Sequence, residues 1–167
     1  MNKVIVTDAS LREAAEKGID KFLGVFVDAI LDSVGGELTA ETMGELNAEQ
    51  ITLVAYHMLH EEVMEGGFIQ LIHNGLGPFI FLNPFAKMLR LWGLRDLSKM
   101  VYNVHTLYKQ HHDEIEADCS DEEFMALYER FPEFEEYDDD FIENEEAWNE
   151  MMAHYVDENI EKFATIA

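Results

Sequence analysis

Apolar residues recur along the chain at helical spacing. From Leu11 they run Leu11, Ala14, Ala15, Ile19, Phe22, Leu23, Phe26, Val27, Ile30, Leu31 and Val34, a period near 3.6. The pattern predicts one long helix, opened by a Ser10/Glu13 capping box and closed by Gly35-Gly36, with Gly18 and Gly24 weakening it without breaking it. A second helix is predicted from Asn47, a good N-cap with Gln50 three residues on. Ile51, Val54, Ala55, Met58, Leu59 and Val63 share one face, and Gly66-Gly67 ends the run. A short segment, Phe68 to Asn74, follows.

Asn83-Pro84 opens a helix from Phe85 to Trp92, with proline at the first helical position. Gly93 breaks it, and Leu94 to about Glu116 forms the next. Ser120 and Glu123 make a second capping box for a helix ending near Phe131-Pro132. Residues 133–140 read as an acidic connector anchored by Phe134, Tyr137 and Phe141, and a last helix runs from about Ile142 to Thr165. No alternation longer than Val4 to Val6 suggests a strand. The expected fold is all-α, a single compact multi-helix domain over residues 1–167 with about seven helices. Residues 1–8 are expected as a loose N-terminal arm.

Charge changes the picture. The 167 residues carry 35 acids and 11 bases, a formal net charge of −24, with 48% hydrophobic residues. That apolar content builds a core, so the acidity does not mean disorder. The charge exceeds what solubility needs, roughly 2–8 units for a small domain. It argues against direct binding to nucleic acid or to an anionic membrane, since both require a basic surface. Basic proteins and cations remain as partners. The apolar runs fall far short of the ~20 residues of a membrane helix. The first ten residues do not form a signal peptide, and Cys119 is the only cysteine, so no internal disulfide forms. The expected location is the cytoplasm.

The charge is unevenly placed. Residues 1–112 hold 14 acids and 9 bases, a net of −5, whereas residues 113–167 hold 21 acids and 2 bases, a net of −19. The segment 83–112 is locally basic, with Lys87, Arg90, Arg95, Lys99 and Lys109 against Asp96. It offers a dock for the acidic tail, within one chain or in a homodimer. Crowded carboxylates are expected to hold their protons more tightly when folded, through like-charge repulsion.

Little points to catalysis. His57 and His60 stand three apart beside Glu61 and Glu62, but no His-Glu-x-x-His and no Glu-x-x-His occurs. Core or boundary histidines are the plainer reading. The alternative is a metal-dependent enzyme built on these histidines and the Gly66-Gly67 turn. Carboxylate pairs are too abundant to single out an acid–base couple, and Gly66-Gly67 with Gly75-x-Gly77 makes no phosphate loop. The chain reads as a non-enzyme without cofactor, catalytic residue or metal.

The acidic third reads better as a partner surface. Duplex DNA carries one charge per about 1.7 Å, so 24 charges correspond to about 41 Å. A compact chain of this length has a diameter of about 40 Å. Carboxylates three or four positions apart on a helix lie about 5–6 Å from each other and accept bidentate bonds from arginine, as phosphates do. The candidate phosphate-mimicking residues are Glu122, Glu123, Glu135, Glu136, Asp138, Asp139, Asp140, Glu143, Glu145, Glu146, Glu150 and Asp157. The leading reading is a DNA mimic that occupies the DNA-reading face of a basic protein. The alternative is an immunity- or antitoxin-like inhibitor of a basic nuclease.

The stretch from Glu62 through Glu65-Gly66-Gly67-Phe68, Gln70, Leu71, Ile72 and Asn74 to Gly77 resembles the signature of a bacterial family. That family has Glu, then Asn-Gly-Gly-Phe, then Gln and an aromatic pair, then Asn and Gly. Its best-known member is a 19 kDa acidic DNA mimic. The resemblance covers about residues 45–163. It departs at Glu65, where Asn is usual, and at Leu71 and Ile72, where aromatics are common. It implies an all-α fold and binding to a DNA-binding protein, such as a helix-turn-helix transcriptional regulator that is then released from its operator. For the signature residues Glu62, Gly66, Gly67, Phe68, Gln70 and Asn74 a structural role is expected. The glycines would end a helix and permit a close turn, Phe68 would fill the core, and Gln70 or Asn74 would cap backbone groups.

Overall fold

A computed structural model of the chain describes residues 3–167. In chain order the elements are β1 (Ile5–Val6), α1 (Asp8–Lys17), α2 (Ile19–Ser33), α3 (Ala40–Met43), α4 (Ala48–His73) and α5 (Gly77–Phe81). They continue with α6 (Phe85–Leu91), α7 (Arg95–Glu116), α8 (Asp121–Arg130), a 3-10 turn (Pro132–Phe134), α9 (Glu135–Glu158), α10 (Ile160–Phe163) and β2 (Thr165–Ile166). The fold is all-α: ten helices, seven of them of seven residues or more, and one two-stranded ribbon among the described residues. No helix of the described residues is long and apolar enough to cross a membrane.

The chain divides into two compact units, residues 1–57 with 147–167, and residues 58–146. In the first unit, the long helix expected over 11–34 is two helices. Gly18, at φ 138° and ψ 165°, breaks it, a conformation open to glycine and strained for other residues. The N-cap lies further back than expected. Thr7 accepts from the Ser10 backbone N–H at 3.1 Å, so Ser10 is a first-turn residue and not the cap. Residues 4–8 are not a loose arm. Val4 and Val6 are buried, β1 pairs in parallel with β2, and Thr165 and Ala167 donate to the Val4 and Val6 carbonyls at 2.8 and 2.9 Å.

Phe26, Ile30 and Phe163 are fully buried, and the Phe26 and Phe163 rings meet edge to face. The predicted cap at Asn47 is present. Its side chain accepts from the Gln50 N–H at 2.8 Å, and Gln50 returns a bond to the Asn47 N–H at 3.1 Å. Both side chains also donate to the end of the chain, Asn47 to the Lys162 carbonyl and Gln50 to the Phe163 carbonyl. Tyr56 donates to the Asn149 side chain, pinning α4 to α9 within this unit.

In the second unit, Gly93 separates α6 from α7 as expected. Buried Ser98 of α7 donates to the Ala86 carbonyl of α6 at 2.6 Å, closing that helical hairpin. Ser120 and Glu123 form the predicted capping box of α8. Residues 133–140 are not a connector: a 3-10 turn leads straight into α9, which starts at Glu135. Phe134 and Phe141 are both fully buried. With Asp138 between them they stand at i, i+4 and i+7, a spacing that the helix continues. The acidic run hides that period, because Glu135, Glu136, Asp139 and Asp140 between them are carboxylates facing solvent.

The Asn47 cap serves two functions at once. Asn47→Ala is expected to lower unfolding free energy by about 1–2 kcal/mol, measured by urea denaturation. An unchanged midpoint would contradict the reading of Asn47 as a cap.

Candidate partner-binding surface

The signature residues meet at a break in α4. Gly67 adopts φ 76° and ψ −175°, inside a helix that is otherwise continuous from Ala48 to His73. The expected stop at Gly66-Gly67 is therefore a kink, and residues 68–73 resume as helix. A restarted helix exposes unsatisfied N–H groups. Asp138, from the start of α9, supplies the missing acceptor: its Oδ1 takes the Phe68 N–H at 2.8 Å. Tyr128 of α8 donates to the Gly66 carbonyl at 2.7 Å. A Cβ at Gly67 would run into the Asp138 carboxylate, and one at Gly66 into the Gln70 side chain. Phe68 is fully buried and packs edge to face on Phe141.

Glu62 accepts from the Gln70 amide at 3.0 Å and from the Asn74 amide at 2.9 Å. Gln70 and Asn74 therefore bind a carboxylate, not the backbone groups expected of them. Glu145 of α9 lies 2.7 Å from His60 Nε2, with both side chains about four-fifths buried. The described residues contain no group of three or more His, Cys, Asp or Glu side chains able to hold a metal.

The candidate phosphate mimics thus fall into two sets. Asp138 and Glu145 point inward, as helix cap and histidine partner. Glu122 and Glu123 on α8, and Glu135, Glu136, Asp139, Asp140, Glu143 and Glu146 on α9, are exposed in the second unit. Glu150 and Asp157, in the first unit, are also exposed. Glu123 closes its capping box with Ser120. None of the other nine exposed carboxylates takes part in an ion pair among the described residues. Asp139, Glu143 and Glu146 stand at i, i+4 and i+7, one row along the helix.

Residues 44–159 match the family described as DMP19-like protein. Over 136 residues the chain is 40% identical to the DNA mimic protein DMP19 of Neisseria meningitidis serogroup B, covering 78% of this chain and 82% of that protein. The chain is a member of the DMP19-like family. At that identity it is a relative of the meningococcal protein and not the same molecule. The matched span contains the whole kink and every candidate carboxylate.

In this DMP19-like chain, burial raises the Asp138 carboxyl pKa to about 6. The Phe68 N–H opposes the shift, and Asp139 and Glu135 add to it. Burial, more than the expected like-charge crowding, is the main cause. Burial also pushes the Tyr128 hydroxyl up, assisted by Asp138. Sequence reasoning missed Tyr128 and His60–Glu145 as parts of this arrangement, because their partners lie 62 and 85 residues away. The paired glycines were the one local signal.

A carboxyl whose pKa rises from 3.8 to about 6 on folding contributes stability that is complete below the unfolded value and lost as pH rises through about 6. Asp138→Asn keeps an acceptor for Phe68 and removes the charge. Its melting temperature should exceed that of the parent at pH 7.5, and the gap should shrink towards pH 5. A gap independent of pH would contradict a buried titrating Asp138. Gly67→Ala combines a left-handed φ with a clash and should cost at least about 1–3 kcal/mol in urea unfolding; a cost near zero would show that the kink relaxes freely.

Proposed function

We propose that this chain acts as a DNA mimic: its exposed carboxylates occupy the DNA-reading face of a basic DNA-binding protein and compete with the duplex. The observation that carries this reading is the set of nine exposed carboxylates, on α8 and α9, that form no ion pair among the described residues. An acidic surface meant only for solubility would intersperse both signs. A stiff helix holds its acids in place, so the ordering cost of the surface is met before the partner arrives. The DMP19 relationship supports the same reading.

The partner class that fits best is a helix-turn-helix regulator of transcription in the cytoplasm of the same bacterium. Such a regulator is positioned on the duplex by arginines, lysines and other donors that contact phosphates, and carboxylates accept from the same donors. The action is stoichiometric binding, with no cofactor and no bond made or broken. Asp138 and Glu145 have no place in the contact surface, since their carboxylates are already engaged inside.

The test is competition. Titrated into a regulator–operator complex, the chain should release the operator in proportion to its concentration, with binding that weakens steeply as salt rises. Replacing Asp139 and Asp140 by Asn and Glu143 and Glu146 by Gln should slow association by about tenfold or more, with less effect on dissociation. Unchanged operator occupancy across host regulators would contradict the proposal. Capture of a nuclease with loss of its activity would favour the immunity-protein reading instead.

A further inference from the structure

The second unit carries a surface of opposite character. Lys87 and Arg90 on α6 and Arg95, Lys99 and Lys109 on α7 are all exposed. None of them forms an ion pair or hydrogen bond among the described residues, although the chain holds 35 acids. Glu133, an acid that does reach this segment, meets it at His111, 3.2 Å away, and not at these five bases. Arg95 opens α7, the end of a helix where a cation is electrostatically unfavourable. Its placement there does not serve the helix.

Large apolar side chains lie among these bases. Leu91 is 68% exposed, Leu82 64% and Tyr102 52%. Arg95, Lys99, Tyr102 and Lys109 repeat at i, i+4, i+7 and i+14, one face of α7. Lys87 and Leu91 stand one turn apart on α6, which Ser98 ties to α7. The row on α7 is a stripe about 21 Å long from residue 95 to residue 109, with Tyr102 among its bases, and α6 adds exposed Lys87, Arg90 and Leu91 to the same hairpin.

We propose that this α6–α7 face is a second docking surface, and that it takes a short acidic protein segment carrying apolar anchors. Three features select that occupant. The bases require carboxylates or phosphates. Leu82, Leu91 and Tyr102 reward burial of apolar side chains, which a phosphate backbone does not offer. Size decides the rest. With a Debye length of about 8 Å at physiological salt, a segment confined to the stripe feels mainly its bases. A duplex or a bilayer extends past the stripe to the acids of a chain of net charge −24 and is repelled. This surface stands whether or not the chain mimics DNA.

The probe is a fluorescein-labelled peptide of about 14 residues, the helical length of the stripe, with leucine and glutamate at i, i+3 and i+4 spacing. Its anisotropy is followed on titration with the full chain. Saturable, salt-sensitive binding is expected. Neutralising Lys87, Arg90, Arg95 and Lys99 to Gln should weaken it by about tenfold or more. Leu91→Ser with Tyr102→Ser should weaken it as well, each variant melting as the parent does. If a variant fails to fold, amide shifts of the unmodified chain on adding the peptide decide, with residues 82–109 expected to move. Absence of binding, shifts confined to other helices, or equal binding of an all-glutamate peptide would overturn the proposal. So would preferential binding of oligothymidylate or phosphatidylglycerol vesicles, or self-association that the Gln variant abolishes.

Discussion

One hydrogen bond sets the register of the acidic helix: Asp138 to the Phe68 N–H. The kink at Gly67 leaves a helix start without an acceptor, and the carboxylate that fills the gap comes from the first turn of α9. Once Asp138 faces inward, helical geometry assigns its neighbours. Phe141 and Glu145, three and seven positions on, share its inward face. Asp139, Asp140, Glu143 and Glu146 turn to solvent. The absence of a side chain at Gly67 is part of the same constraint, because the carboxylate occupies the space that a Cβ would take.

The chain therefore uses identical chemistry for two opposed purposes. Glu62, Asp138 and Glu145 are engaged by amides, a backbone N–H and a histidine. The nine outward candidate acids have no ion-pair partner among the described residues. A buried carboxylate carries a desolvation cost, visible in the raised pKa of Asp138, and each inward acid offsets that cost with named donors. The outward acids bear a repulsive cost that a basic partner relieves. On this view the DMP19-like signature is the support of the proposed binding surface, and the carboxylates beyond it are the surface itself.

Much of this was legible in the residues. Asn47/Gln50 and Ser120/Glu123 announced helix starts through local chemistry, and Gly93 marked a helix end. What failed depended on tertiary partners. Gly18 and Gly67 looked like a weak spot and a stop; their φ values, and the Asp138 carboxylate against Gly67, made them a break and a kink. Residues 133–140 looked like a connector because their carboxylates mask a buried Phe134–Asp138–Phe141 period. Val4 and Val6 appeared unanchored, since their partners lie at the other end of the chain. The charge totals located the acidic region but could not separate Asp138 and Glu145 from their exposed neighbours. That distinction rests on contacts 70 and 85 residues away.

Carboxyl footprinting by mass spectrometry tests the division between supporting and exposed carboxylates most directly. The chain is labelled with a carbodiimide and an amine, alone and bound to a helix-turn-helix regulator of its host. Asp139, Asp140, Glu143 and Glu146 are expected to label readily in the free chain and to be protected in the complex, while Asp138 and Glu62 stay poorly labelled in both. Ready labelling of Asp138 in the free chain, or a complex that leaves the α9 acids unprotected, would contradict it.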